Sequence, residues 1–256
     1  MRRTLLISAL AATLLSLLGA VAMADTLIGT GGSERLQGTP SPDQIYGEAG
    51  DDVLVGLGGN DYIEAGPGND ELDGGGGLDL AIGGTGDDRV DAGVGGDVVY
   101  AGPGNDLVLG GQGADTLFGQ DGSDRLFGGS GPDRIYASLG EDFIDAGSDD
   151  DTVFADGAIT ILAGGGDDTV SASGGPTTVE GGVGNDRIRT GAGNDRVSGG
   201  PGRDSLATGE GDDRIEAGDG RRDRVRCGPG NDSVVADVID LVKGCENVTP
   251  PRPRIG

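Results

Sequence analysis

The sequence predicts an all-β solenoid of short stacked strands, on the strength of three observations. Aspartate recurs every nine residues without interruption from Asp43 to Asp151. Glycine usually lies two residues before each acid, and an aliphatic residue lies two residues after it. A fixed period of this kind is typical of repeat architectures, in which each unit packs on its neighbours.

Each nine-residue unit divides into a turn and a short strand. Residues 66–72 and 102–108 read Gly-Pro-Gly-Asn-Asp-Glu-Leu and Gly-Pro-Gly-Asn-Asp-Leu-Val. Glycine permits positive φ in the turn, and the three residues after the acid alternate outward, inward, outward. We therefore expect a core made of one line of aliphatic side chains per strand, namely Ile45, Leu54, Ile63, Leu72, Ala81, Val90, Val99, Val108, Leu117, Leu126, Ile135, Ile144 and Val153.

These units resemble the nonapeptide Gly-Gly-x-Gly-x-Asp-x-aliphatic-x of the RTX, or hemolysin-type, calcium-binding repeat family. The resemblance covers most of residues 25–236. It implies a right-handed parallel β-roll with two nonapeptides per coil. It also implies calcium ions between turns 18 residues apart, held by aspartate carboxylates and turn carbonyls. The implied ligands are Asp43, Asp52, Asp61, Asp70, Asp79, Asp88, Asp97, Asp106, Asp115, Asp124, Asp133, Asp142, Asp151, Asp168, Asp186, Asp195, Asp204 and Asp213.

Interruptions of the period divide the chain into segments. Asp168 follows Asp151 by 17 residues rather than 18, and Thr177 occupies an acid position. We expect calcium to be missing where the acids lose phase. The predicted segments are a signal peptide at 1–24, a regular calcium-binding array at 25–155, degenerate repeats that continue the stack at 156–181, a second array at 182–236, and a C-terminal cap with a loose tail at 237–256.

The ends of the acid series depart from the pattern. Asp223 and Asp232 each lie 19 residues after their partners in the preceding coil, and Glu34 is longer than the aspartate it replaces. These three acids are therefore left outside the predicted ligand set.

The first 24 residues read as an export signal. Arg2 and Arg3 precede an apolar run from Leu5 to Leu18, and residues 22–24 read Ala-Met-Ala, the small-x-small form of a cleavage site. The alternative is a membrane anchor, for which the run is short. We expect cleavage after Ala24, a secreted protein and no later membrane span. Many RTX proteins instead carry an uncleaved C-terminal signal, so this chain suggests a different export route.

Cys227 and Cys245 are the two cysteines of the chain. Two cysteines close to one end of an exported protein favour a disulfide, and two free thiols are the alternative. Closing such a loop would stabilise the fold by about 3 kcal/mol in the chain-entropy model.

The charge of the chain bounds its partners. The formal net charge is -26, which argues against nucleic acid and calls for cations to offset self-repulsion. Carboxylate and carbonyl oxygens prefer calcium, and the absence of histidine argues against zinc. The same absence, with no Gly-x-Ser-x-Gly motif, argues against an enzyme.

A stripe of outward positions 18 residues apart carries five of the eight aromatic residues. It has two interpretations: stacked side chains that stabilise neighbouring strands, or an exposed patch for a partner. A partner would be a polysaccharide, a cell surface or a second copy of the chain. The stripe comprises Tyr46, Ile82, Tyr100, Phe118, Tyr136 and Phe154.

The function predicted is that of a stand-alone exported calcium-binding protein with a structural or adhesive role. The alternative is a calcium-dependent module that binds carbohydrate or another surface through the aromatic stripe. Ice recognition through threonine ladders is a further alternative, weakened because the matching turn position varies among Pro67, Thr85, Pro103 and Ala192.

Overall fold

The computed structural model describes residues 24–251, and in this range it contains 26 short β-strands and no helix. Strands alternate between two parallel sheets of 13 strands each, which we call the odd sheet and the even sheet. The odd sheet contains β1 (Thr26–Ile28), β3 (Gln44–Tyr46), β5 (Tyr62–Pro67), β7 (Leu80–Thr85), β9 (Val98–Tyr100), β11 (Thr116–Phe118), β13 (Arg134–Ala137), β15 (Thr152–Asp156), β17 (Thr169–Ser173), β19 (Arg187–Arg189), β21 (Ser205–Ala207), β23 (Arg224–Arg226) and β25 (Leu241–Lys243). The even sheet contains β2 (Arg35–Gln37), β4 (Val53–Val55), β6 (Glu71–Asp73), β8 (Arg89–Val94), β10 (Leu107–Gln112), β12 (Arg125–Ser130), β14 (Phe143–Ser148), β16 (Thr160–Gly165), β18 (Thr178–Val183), β20 (Arg196–Ser198), β22 (Arg214–Glu216), β24 (Ser233–Val235) and β26 (Asn247–Thr249).

Strand register confirms the predicted parallel solenoid. Ile45 pairs with Ile63 in the odd sheet, and Leu54 pairs with Leu72 in the even sheet. Each coil therefore consists of two nonapeptides, one strand in each sheet. A strand of three residues has little stability alone, so pairing with the coils on both sides is what maintains it.

The core is a narrow double line of aliphatic side chains between the sheets. Every inward position predicted between Ile45 and Val153 is at most 1% exposed. The core contains no aromatic residue among those described. This thin core explains why the sequence can be rich in glycine and still fold.

The turns require glycine where backbones meet. Gly111 has a φ of 102°, and a Cβ there would lie 2.1 Å from the carbonyl oxygen of Gly93 in the neighbouring coil. Leu57 and Gln120 replace glycine at other turns and adopt φ of 78° and 75°. Such residues pay a conformational cost of about 1 kcal/mol each.

Insertions and deletions lie in turns and leave both sheets continuous. The missing residue falls between β15 and β16, because Phe143 pairs with Thr160 at a separation of 17. The extra residue falls between β22 and β23, where the pairing of Ser205 with Arg224 spans 19 residues. The turn therefore absorbs a change in length that would otherwise shift every side chain to the wrong face.

The C-terminal segment forms one further, shorter coil from β25 and β26. The predicted disulfide is confirmed: Cys227 and Cys245 are bonded, with their Cα atoms 5.2 Å apart. None of the described residues forms a helix that could cross a membrane. Residues 1–23 and 252–256 lie outside the described range, and with them all but the last residue of the predicted signal peptide and the end of the tail.

Candidate calcium sites along the two edges of the stack

The acids form two rows, one at the start of the strands of each sheet. We call them the odd row and the even row after the sheet that follows each acid. The odd row comprises Asp25, Asp43, Asp61, Asp79, Asp97, Asp115, Asp133, Asp151, Asp168, Asp186, Asp204, Asp223 and Asp240. The even row comprises Glu34, Asp52, Asp70, Asp88, Asp106, Asp124, Asp142, Ile159, Thr177, Asp195, Asp213, Asp232 and Glu246. Ile159 and Thr177 occupy positions of this row at which the acid is replaced.

One oxygen of each carboxylate is held by the preceding coil. Oδ1 of Asp61 accepts a hydrogen bond from the backbone N–H of Asp43 at 2.7 Å, and Oδ1 of Asp79 accepts one from Asp61 at 2.8 Å. The even row repeats the arrangement, with Asp70 donating to Asp88 at 2.8 Å. These bonds fix the orientation of the carboxylates that follow the first acid of each row.

The second oxygen is buried without a hydrogen-bond partner among the described residues. The row aspartates from Asp43 to Asp232 are at most 3% exposed. The unpartnered Oδ2 atoms belong to Asp52, Asp61, Asp70, Asp79, Asp88, Asp97, Asp106, Asp115, Asp124, Asp133, Asp142, Asp151, Asp168, Asp186, Asp195, Asp204, Asp213, Asp223 and Asp232. A buried carboxylate oxygen with no donor is costly, and here it recurs coil after coil.

The electrostatics of the rows disfavour a bare carboxylate. Burial, together with nearby acids of the same row, raises the pKa of Asp88 and of Asp124 to about 7. Burial likewise raises the pKa of Asp151 to about 8, although the hydrogen bond from Asp133 opposes the shift. A bound cation would favour the ionised form that burial disfavours.

The donor atoms present fit a hard cation. A Cβ built on Gly83 would lie 2.6 Å from Oδ2 of Asp88 and 2.4 Å from the carbonyl oxygen of Ala101, so the carboxylate oxygen and a backbone carbonyl face the same small space. The described residues contain no group of three or more acidic, histidine or cysteine side chains that could hold a metal. A cation here would therefore be held by row carboxylates and turn carbonyls, the oxygen donors that calcium prefers.

The interruption of the acids affects the even row only. Thr177 is buried there, donates its hydroxyl to the carbonyl of Gly175 at 3.1 Å, and donates its N–H to Oδ1 of Asp195 at 2.9 Å. The odd row continues past the deletion, because the N–H of Asp151 donates to Oδ1 of Asp168 at 2.8 Å. The 18-residue spacing used in the sequence analysis did not pair these two residues, because they are 17 residues apart.

Acids left outside the predicted set take the same positions at the C-terminal end. Oδ1 of Asp223 accepts from Asp204 at 2.8 Å, and Oδ1 of Asp232 accepts from Asp213 at 3.0 Å, each across 19 residues. Asp240 and Glu246 then accept from Asp223 and Asp232, both at 2.9 Å. A sequence feature identifies all four of these acids: each is followed two positions later by an aliphatic residue, namely Val225, Val234, Val242 and Val248.

A second, exposed ladder runs beside the even row and was not predicted. It uses the residue before each row acid: Oδ1 of Asp51 accepts from the N–H of Asn69, and Oδ1 of Asn69 accepts from Asp87, both at 2.9 Å. Asn105 and Ser123 continue the series. These bonds point along the stack opposite to those of the row, so neighbouring coils are tied in both directions.

The aromatic stripe is brought together in part. Tyr100, Phe118, Tyr136 and Phe154 form a parallel stack, with ring centroids 4.6, 4.8 and 5.3 Å apart and interplanar angles of 2°, 10° and 13°. Tyr46 instead contacts Tyr62, at 5.5 Å and a tilt of 44°. Because the stacked rings cover one another's faces, mainly their edges are open to a ligand.

Replacing Tyr100, Phe118 and Tyr136 by serine tests the two interpretations of the stripe. We expect a loss of about 2 kcal/mol or more in the free energy of unfolding, since aromatic stacking is worth about 1 kcal/mol per pair beyond burial. Denaturant unfolding at saturating calcium measures the loss, and sedimentation equilibrium measures self-association. Intact stability with lost association would contradict the structural role.

Comparison with known families adds an independent match to these rows. A family model of the RTX calcium-binding nonapeptide repeat matches residues 28–63, 49–81, 82–117, 118–153, 160–179, 171–206 and 198–234. No curated protein is significantly similar in sequence. Among solved structures, the chain resembles the X-ray crystal structure of a hyperactive, Ca²⁺-dependent, β-helical antifreeze protein from an Antarctic bacterium. The two share 22% identity and a TM-score of 0.61 over 84% of this chain and 81% of the other, which is a likeness of fold.

Proposed function

Because the chain belongs to the RTX calcium-binding nonapeptide repeat family, we propose that it is an exported protein whose solenoid binds calcium along both acid rows and folds as it does so. Its role outside the cell is structural or adhesive. Calcium would lie between neighbouring coils, held by successive acids of one row and by turn carbonyls. Calcium supplies the positive charge that lets these carboxylates be buried while ionised.

The single observation that carries this proposal is the unpartnered Oδ2 atom repeated along the rows. Burying one ionised carboxylate costs several kcal/mol even after relaxation. A domain is stable by only about 5–15 kcal/mol in total. The chain therefore cannot bury the whole set as bare anions, and a cation with hard oxygen preference is the simplest compensation.

The backbone hydrogen bonds define what each acid contributes. The N–H of the preceding coil holds Oδ1, which leaves Oδ2 directed toward the glycine-lined space. An acid in the middle of a row therefore serves two inter-coil spaces. At Ile159 and Thr177 the even row offers no carboxylate, so we expect calcium to be missing there while the odd row stays loaded.

Two adjacent substitutions test the proposal. Asp88→Asn keeps an oxygen for the N–H of Asp70 but replaces Oδ2 with an NH2 group, which has no lone pair to offer calcium. We expect the variant to lose about 3 kcal/mol of unfolding free energy at saturating calcium, because it removes one partner of a buried charge interaction.

The matched control is Asp87→Asn, one residue earlier, where the carboxylate is exposed and asparagine keeps the oxygen that accepts from the N–H of Asn105 in the exposed ladder. Its effect should stay within about 0.5 kcal/mol, as is usual for surface positions. Calorimetric calcium titration of both variants gives the second readout. Equal stability and equal calcium stoichiometry in the two variants would exclude the even row as a calcium site.

An ice-binding role for this chain has less support. The structural neighbour is described as an antifreeze protein, but the shared feature is the fold. The turn position considered for an ice-binding ladder carries proline at residues 67 and 103 and threonine at 85. A regular hydroxyl ladder is therefore absent from those positions.

A further inference from the structure

The last four strands of the odd sheet carry a concentration of positive charge. On β19, β21, β23 and β25 every charged outward side chain is basic. The chain as a whole has a net charge of -26, so this face reverses the prevailing sign. We call it the basic face; it consists of Arg187, Arg189, Arg224, Arg226 and Lys243.

These charges are not neutralised within the molecule. Among the residues described, the one ion pair is that of Arg214 with Glu216, at 3.3 Å on the even sheet. The acids nearest in sequence to the basic face, such as Asp186 and Asp223, are buried in the odd row. All five basic side chains are exposed.

Strand register arranges the basic face as two columns along the stack. One column runs Arg187, Ser205, Arg224, and the other runs Arg189, Ala207, Arg226, Lys243. A trough of about 310 Å³ lies over the short side chains of β21; it runs from Arg189 past Arg224 and Arg226 to Lys243. The two arginine rungs, on β19 and β23, are two coil heights apart, about 10 Å.

We propose that the basic face binds a linear acidic polysaccharide laid along the stack axis. The arginine rungs would take its carboxylate or sulfate groups, since guanidinium binds such oxyanions through paired hydrogen bonds. The Ser205 hydroxyl on the floor would face sugar hydroxyls. The proposal depends on the calcium-binding function only in requiring a folded solenoid.

Other polyanions fit less well. The four strands carry no aromatic side chain, so they offer no platform on which bases of a single-stranded nucleic acid could stack. The turn after β21 exposes the acids Glu210 and Asp212, whose charge opposes the approach of a flat anionic membrane. Neither acid lines the trough in which a narrow chain would lie.

Matched double substitutions test the basic face. Arg224→Ser with Arg226→Ser removes one rung, and Arg196→Ser with Arg214→Ser removes the same charge from the even sheet. Binding of short oligogalacturonate and of chondroitin sulfate is measured by calorimetry on the full chain at one saturating calcium concentration. We expect the first pair to weaken binding by about tenfold or more, because it removes two guanidinium groups that would hydrogen-bond the oxyanions of the glycan. The second pair should leave binding unchanged.

Circular dichroism of each variant establishes that it is folded, and Arg187→Ser with Arg189→Ser replaces the first pair if that variant does not fold. No binding of either glycan by the wild type would overturn the proposal, as would equal weakening by both pairs, which would indicate nonspecific charge or calcium bridging. Equal affinity for single-stranded DNA or for phosphatidylserine vesicles would also overturn it. Failure of calcium-dependent folding would appear in the dichroism instead, so the two proposals fail separately.

Discussion

Removing calcium with excess chelator at a pH above about 8, where the raised pKa values of the row carboxyls leave them ionised, is expected to convert the solenoid into an expanded chain without sheet structure. The two rows place at least 19 buried carboxylate oxygens without partners along one axis. The core that must compensate is a narrow line of aliphatic side chains with no aromatic residue among those described. Since each strand depends on its neighbours for pairing, loss of calcium from the rows is expected to unfold the whole stack rather than one turn.

Circular dichroism and small-angle scattering measure this transition. The unfolded chain should have a radius of gyration of about 50 Å, and the β signal should return when calcium is restored. Sodium chloride at high concentration is the control for simple screening. Magnesium is the control for divalent charge, because it demands regular octahedral geometry and gives up water reluctantly. A complete sheet signal in excess chelator at that pH would contradict calcium-coupled folding.

The period of the sequence was sufficient to predict the fold. The nine-residue recurrence of acids and the aliphatic residue two positions later predicted both the stacking and the buried positions, such as Ile45 and Leu54. This succeeded because parallel stacking repeats one environment in every coil, so a single unit describes the whole. The disulfide followed from the position of the two cysteines.

The candidate site was predicted less completely, for a physical reason. A prediction based on the spacing between successive acids interprets an inserted residue as the loss of a site. Asp223 and Asp232 were left outside the predicted ligand set for that reason. The structure preserves the spacing between each acid and its strand, while the turn takes up the change. The two-residue sequence spacing between an acid and the buried aliphatic residue of its strand is thus a better guide to row positions than the spacing between acids.

The nine-residue repeat did not predict how the outward side chains are oriented. Spacing predicted that Tyr100, Phe118 and Tyr136 share a column, but the covering of one ring face by the next depends on side-chain rotation, which spacing does not determine. The basic face was missed for a similar reason. Its two arginine pairs, on β19 and β23, are neighbours only across coils, and the strongly acidic composition of the chain does not reveal them.

Acidification is expected to stabilise the folded state of the calcium-free chain and to weaken calcium binding. Burial raises the pKa of Asp79, Asp88 and Asp204 to about 7 and that of Asp151 to about 8. A carboxyl whose pKa is higher in the folded chain than in the unfolded chain takes up protons on folding. Its contribution favours folding at low pH and is lost as the pH rises through the folded-state pKa.

In chelator, sheet content should therefore rise as the pH falls from about 8 to about 5.5, the range that spans these raised pKa values. With calcium present, protons and calcium compete for the same Oδ2 atoms, so the calcium concentration at the midpoint of folding should increase over the same interval. Calcium titrations followed by circular dichroism at several pH values measure both effects. Light scattering is needed beside them, because the sequence pI is about 4.1 and charge repulsion weakens toward it. A midpoint independent of pH would mean that the buried row carboxylates are not the groups that bind the metal.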